Sequence, residues 1–293
     1  ETNLTTEAPA LHRDTSGETV GVLMIVVRPA ICALGLVTNS LSLLVFLQPS
    51  MRNLSCSVYL AVKAVSDFAF LLSSLVLWLT SVQVRAFHTE GVCQLVLFAT
   101  YLAAFISIWL VVALTIENLL CVVRPWFVQR SCNARTARIL TSVIVVLGIG
   151  LYHFALWNNG LRTHTRLTGP TACQPLEEFT HLAVALTYVD SLMTLLLPLI
   201  VLTVSNAAII VLALRASRRQ RRRDMLIRFL FSVSMTLLLF HLPSHLLRLK
   251  YLLLSASALD VLLFRWFETL YISHYAIGFF VYIAFGSNFR KVF

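Results

Sequence analysis

The chain has 293 residues, of which 58% are hydrophobic and only 12% charged, with 23 Lys and Arg against 13 Asp and Glu. A water-soluble domain of this length has no interior large enough for so much apolar side chain, so the composition points to a membrane-embedded protein. The net charge of +10 then reads as a statement about how membrane spans are oriented, and no nucleic-acid partner is expected.

A hydrocarbon core about 30 Å thick needs about twenty apolar residues per helical crossing. Seven segments meet that need: residues 20–47, 57–82, 92–122, 137–157, 181–213, 227–253 and 261–285. No linker or repeat marks a second domain. The division is an amino-terminal segment 1–19, a seven-span domain 20–285 and a tail 286–293. The fold class expected is all-α, a seven-transmembrane helix bundle.

Ahead of the first span, Asn3-Leu4-Thr5 is a glycosylation sequon, which needs an outward-facing amino terminus. That orientation puts most of the basic residues inside. Arg52 falls in the first inner loop and Arg124, Arg130, Arg135 and Arg138 in the second. Arg215, Arg218, Arg219, Arg221, Arg222, Arg223 and Arg228 surround the third, and Arg290 and Lys291 follow the last span. The positive-inside rule gives the same topology. The run 218–223 orients its neighbouring spans and attracts anionic lipid headgroups of the inner leaflet, at about 1 kcal/mol per residue.

The second span carries Lys63 and Asp67 four residues apart. Ionisable groups at mid-membrane cost about 2.5–3.5 kcal/mol each on insertion scales, so they need partners or a wet interior. On a helix these two share a face. Of the six cysteines, Cys93 at the head of the third span and Cys173 ahead of the fifth fall on the oxidising side, where a disulfide between them is expected. The other four read as small packing residues.

With these residues in place a resemblance becomes specific. "GLVTNSLSLLVF" with Asn39, "LAVKAVSD" with Asp67, Cys93 followed by "TIENLLCVVRPW", Pro198, Pro243, Tyr282 and "GSNFRKVF" stand in the order found in rhodopsin-like (class A) G-protein-coupled receptors. The style is closest to peptide receptors, and the resemblance covers residue 20 to the end. It implies a cell-surface receptor in the plasma membrane, an extracellular ligand, a heterotrimeric G protein or arrestin as transducer, and a short amphipathic eighth helix over 286–293. No cofactor and no metal is implied.

The departures from that family's pattern fall on its activation positions. Glu117-Asn118-Leu119 stands where the third helix usually closes with Asp/Glu-Arg-Tyr. Asn118 cannot form the usual acid pair, which leaves Glu117 without its restraint. Asn206 replaces the fifth-helix tyrosine, and His241 before Pro243 replaces the toggle tryptophan. The seventh helix reads Gly278-Phe279-Phe280-Val281-Tyr282 in place of Asn-Pro-x-x-Tyr. Two outcomes of opposite sign follow: a receptor that leaks activity, or one that engages its transducer weakly.

In the family, the acid matching Asp67 binds sodium with a third-helix serine, here Ser107, and two seventh-helix asparagines, here His274 and Gly278. Two readings of Lys63 stand open. Its ammonium replaces the sodium ion on Asp67, or its stem snorkels to the inner surface. The family's pattern aims Tyr101, Asp190, His245, Arg248 and Glu268 into an outer cavity, whose mixed charge suits a peptide or other charged small ligand. Thr100 stands at the amine-binding acid's position and Ile272 at the retinal lysine's, which disfavours monoamines and retinal.

His241 and His245 share a helix face with His274 opposite; they read as satisfied interior histidines rather than metal ligands. Phosphate loops, metal motifs and acid-base carboxylate pairs are missing from the sequence, so no enzyme is expected. The rival readings are a receptor that binds ligand or recruits arrestin without G-protein output, and a transporter using the intramembrane Lys, Asp and His residues.

Overall fold

The computed structural model describes residues 21–82, 84, 89, 91–124, 126, 132–162, 172–215, 221–253 and 257–293. The Asn3 sequon, the segment 1–19 and Arg130, Arg218 and Arg219 lie outside the described residues.

Helix α1 (Arg28–Phe46) continues without a break from a π-helical turn over Leu23–Val27, and Pro29, inside that run, has no N–H to give the turn before it, a loss the widened turn accommodates. Helix α2 spans Ser55–Ser81 and α3 Val92–Val123. Helix α4 (Ala134–Tyr152) starts where the Asn133 side chain accepts from the Arg135 and Thr136 amides, both at 3.0 Å. It ends in a 3-10 turn over His153–Leu156, followed by β1 (Asn159–Arg162) and β2 (Ala172–Pro175).

Helices α5 (Thr180–Ser191) and α6 (Leu197–Arg215) are joined by a π turn over Leu192–Leu196 into one apolar span. The π turn has a local cause. Pro198 has no N–H and its ring crowds the carbonyl four residues back, and a widened turn relieves both. The indole N–H of Trp109 on α3 donates to the Met193 carbonyl in that turn at 3.0 Å. Helices α7 (Arg221–Leu253), α8 (Ala258–Phe285) and the short α9 (Ser287–Val292) complete the chain.

Six of these spans are long and apolar enough to cross a membrane among the described residues. The seventh, α8, is long enough at 28 residues, but Arg265, Glu268, His274 and three tyrosines thin its apolar run. It enters the bundle by packing on α1, α2 and α7. The architecture is the expected seven-helix bundle with a short eighth helix, to which the β1–β2 hairpin adds an element that an all-α reading lacks.

Helix α3 forms the centre, buried almost continuously from Ala103 to Thr115 and packed on α2, α4, α6 and α7. Helix α1 comes close to α2 and α8 at Gly35, where a β-carbon would collide with Leu71 and lie 2.9 Å from the Ala276 β-carbon. Thr38 and Asn39 exploit the approach: the Asn39 amide donates to the Tyr275 carbonyl at 2.8 Å and Thr38 to that of Ala276 at 3.2 Å. Phe289 of α9 is buried against Phe46, Phe279 and Tyr282, which anchors that short helix to the bundle.

The expected disulfide joins Cys93 and Cys173, with α-carbons 5.9 Å apart and a sequence separation of 80. It pins the antiparallel hairpin, in which Leu161 pairs with Cys173, across the head of α3. Closing a loop of that size stabilises by about 4 kcal/mol in the chain-entropy view. Gln94 adds a second tie, accepting from the Gly91 amide at 2.6 Å and donating to the Asn159 carbonyl at 3.1 Å. Gly91 takes φ +88°, a conformation open to glycine at little cost, and starts α3 there.

Candidate functional site

Near the disulfide end of the bundle, α1, α2, α3, α5, α7 and α8 enclose a cavity of about 320 Å³. Tyr101, Asp190, His245, Arg248 and Glu268 all line it. A second cavity of about 400 Å³ lies under the hairpin and shares Tyr101, Asp190 and Arg248 with the first. Both volumes fall in the range of small-molecule and peptide pockets.

The charges around this space are not equivalent. Glu268 is held by Arg28 of α1 at 2.5 Å, with Arg265 at 3.7 Å, and Arg28 also donates to Thr269 at 3.2 Å. Asp190 accepts from the Tyr152 hydroxyl at 2.7 Å. Tyr152 is itself fully buried and stacked on Tyr101, with ring centres 5.6 Å apart. The Arg248 guanidinium lies 5.8 Å above the Tyr271 ring, a cation–π arrangement. Arg248 therefore lines the cavity and does not run to the membrane surface.

Deeper in the bundle, Lys63 and Asp67 face inward from α2. The ammonium is 2.5 Å from one Asp67 oxygen, and Ser107 of α3 donates to the other at 2.6 Å. Lys63 is 2% exposed and Asp67 0%, so the lysine stem turns into the protein and the snorkelling geometry is not adopted. His274, Gly278 and Tyr282 lie beside Lys63 around a small void.

The sequence matches the family described as "7 transmembrane receptor (rhodopsin family)" over residues 38–282. The chain belongs to the rhodopsin family of seven-transmembrane receptors. It is accordingly a multi-pass membrane protein of that family. The B1 bradykinin receptors of Macaca fascicularis and Macaca mulatta are 34% identical to it over 121 residues, covering 41% of this chain and 34% of theirs. The human B1 bradykinin receptor is 33% identical over the same length. The chain thus spans about a third of the length of the curated relatives it matches.

Two expectations need correction, the first at the α9 end of this receptor. Glu117 is not left unrestrained: Ser55 of α2 donates a short hydrogen bond to its carboxylate, and the Tyr59 hydroxyl also reaches it. Helix α2 holds this acid. Asn118 turns inward instead, 1% exposed, with neither amide atom partnered among the described residues. The histidines are the second correction. His241, His245 and His274 are buried in a cluster with Tyr271 and Tyr275, with the His241 and His274 rings 4.6 Å apart. Among the described residues, both ring nitrogens of His241 and His274, and Nε2 of His245, have no hydrogen-bond partner. They are packed, not satisfied. Among the described residues no group of three His, Cys, Asp or Glu is placed to hold a metal.

Asn206 ties α6 to α7, accepting from Ser234 at 2.9 Å. Pro243 lies inside α7, between His241 and His245 of the cluster. Tyr282 packs edge-on against Phe46 and Phe229. Arg28, Tyr152, Ser55 and Tyr59 escaped the sequence reading. Arg28 carried a usable signal, an arginine inside an apolar run, which demands an internal partner. Tyr152 carried none, since a tyrosine near a span end is commonplace.

Proposed function

We propose that this receptor lies with its amino terminus outside, binds a peptide or other charged small ligand in the paired cavities, and signals to a cytosolic G protein or arrestin. The observation that carries this reading is the convergence of Tyr101, Asp190, His245, Arg248 and Glu268, from four helices, on one cavity at the disulfide end. Charge of both signs in a half-enclosed site favours a charged ligand over a lipid. The distribution of Arg and Lys supports the orientation, and a receptor for bradykinin among the relatives supports a peptide.

Coupling is altered on this reading. Asn118 offers no cationic fork to a transducer, and Glu117 is occupied by α2. Weak G-protein engagement is expected, and ligand binding or arrestin recruitment without G-protein output is the second reading that the same observation favours. In the core, the Lys63 ammonium takes the place of a sodium ion on Asp67. A screen of peptide and amine ligands in cells, with G-protein and arrestin recruitment read in parallel, tests the proposal. Responses of either kind that vanish in Asp190→Ala with surface expression intact support it. Responses indifferent to alanine at Asp190 and Arg248 together move the site elsewhere.

A further inference from the structure

We infer that the ligand is bipolar, its cationic group held by Asp190 and its carboxylate by Arg248, while Arg28 and Glu268 form a closed pair that walls the cavity without reading charge. This rests on the cavity reading above and narrows it to a ligand class.

Glu268 already has two guanidinium groups on it, one at 2.5 Å and the other at 3.7 Å. Arg28 likewise divides its donors between Glu268 and Thr269. A ligand ammonium approaching Glu268 would have to displace a bound arginine, and would meet the repulsion of a second.

Asp190 differs. One of its oxygens takes the Tyr152 hydroxyl, and among the described residues no cation lies within ion-pair reach of it. A neutral donor orients the carboxylate without neutralising it, and the stacking of Tyr152 on Tyr101 fixes that donor in place. Arg248 is the counterpart: it rests over Tyr271 and donates to no protein acceptor among the described residues. Asp190 and Arg248 both line both cavities, so a molecule in either one meets both groups.

The two groups stand in one space without closing on each other. A purely cationic ligand would desolvate Arg248 without compensation, and a purely anionic one would do the same to Asp190. A ligand with both signs satisfies both through charge-assisted hydrogen bonds. A short peptide with a basic group and a free carboxylate has that chemistry.

The test uses purified receptor and four pools of synthetic tetrapeptides of equal diversity. One pool has lysine and a free carboxyl terminus, one has lysine with an amidated terminus, one has norleucine and an acetylated amine with a free carboxylate, and one has neither charge. Retention by mass spectrometry and thermal shift are read together. The first pool should be retained about tenfold or more over each of the others. Asp190→Asn should erase the preference for the basic group alone, and Arg248→Gln the preference for the carboxylate alone. Asp190→Glu and Arg248→Lys, which keep the charges, should keep the order of the pools and show that the losses are not failures to fold. Arg28→Gln combined with Glu268→Gln should also keep that order.

If the double variant scrambles the order while the Asp190 and Arg248 variants keep it, the charge-reading pair is Arg28 and Glu268 and the inference falls while the cavity stands. If all pools bind the parent equally, the inference also falls. If no pool is retained by the parent, the cavity reading fails and carries the inference with it.

Discussion

Breaking the pair at the centre of α2 from one side should be far worse than removing it altogether. Lys63 and Asp67 are 2% and 0% exposed, with the ammonium 2.5 Å from the carboxylate and Ser107 at 2.6 Å on its other oxygen. Lys63→Leu leaves a buried carboxylate with Ser107 as its remaining donor. Asp67→Asn leaves a buried ammonium facing His274 and Tyr282. Each single change should cost about 3–5 kcal/mol, the usual penalty for orphaning one member of a buried ion pair. Lys63→Leu with Asp67→Asn removes both charges and keeps a hydrogen-bonding group for Ser107, so it should lie within about 1 kcal/mol of the parent. The coupling energy is then several kcal/mol and opposes both single effects. Reversible unfolding of purified receptor in mixed micelles, with surface expression as a second reading, measures the cycle. Sodium against choline should not change the stability of the parent, and Lys63→Leu should restore partial sensitivity at most, because His274 and Gly278 supply few oxygen ligands. Single changes whose costs simply add in the double variant would refute the argument, as would a clear sodium dependence of the parent.

Other outcomes follow from the same geometry. Asn118→Leu should raise thermal stability by about 1–2 kcal/mol by removing two unpartnered buried amide atoms, whereas Asn118→Arg should strengthen G-protein output; unchanged signalling in the latter would take this position out of the mechanism. Gly35→Val should cut surface expression sharply, since Leu71 and Ala276 occupy the space of its side chain, and normal expression would mean that the α1 contact yields easily. Cys93→Ser should free the hairpin and destabilise by about 4 kcal/mol, read as increased proteolysis at the disulfide end. Lys250 and Ser257 hold the Asp260 carboxyl down to about 2 from its ordinary 3.8. Because its folded value is the lower one, the stabilisation is complete above about pH 4 and is lost as the pH falls toward 2. Asp260→Asn should flatten the pH dependence of melting in that window.

How much could be read in advance follows from the range of each interaction. Hydrocarbon thickness acts on every residue of a span alike, so apolar run lengths and the sidedness of Arg and Lys carried the bundle and its order without any knowledge of contacts. The disulfide was legible for a similar reason: compartment left two cysteines for one bond. The five cavity residues were named from the resemblance, whose pattern aims them at the outer half of the bundle, and the cost of intramembrane charge added a reason for Asp190 and Glu268 alone. Partner choice was decided only by the tertiary structure. Whether Lys63 turned inward depended on α3 bringing Ser107 to Asp67 and on the space beside His274 and Gly278. Glu268 found Arg28 across 240 residues, and Glu117 found Ser55 across 62; periodicity within one helix holds no information about which residue of another will face it. The histidine cluster shows the same limit, since its rings were visible in sequence but their lack of partners among the described residues depends on how α7 and α8 pack. The hairpin lay beyond hydropathy altogether, because its strands are short and half polar, and a bond to α3 holds them in place.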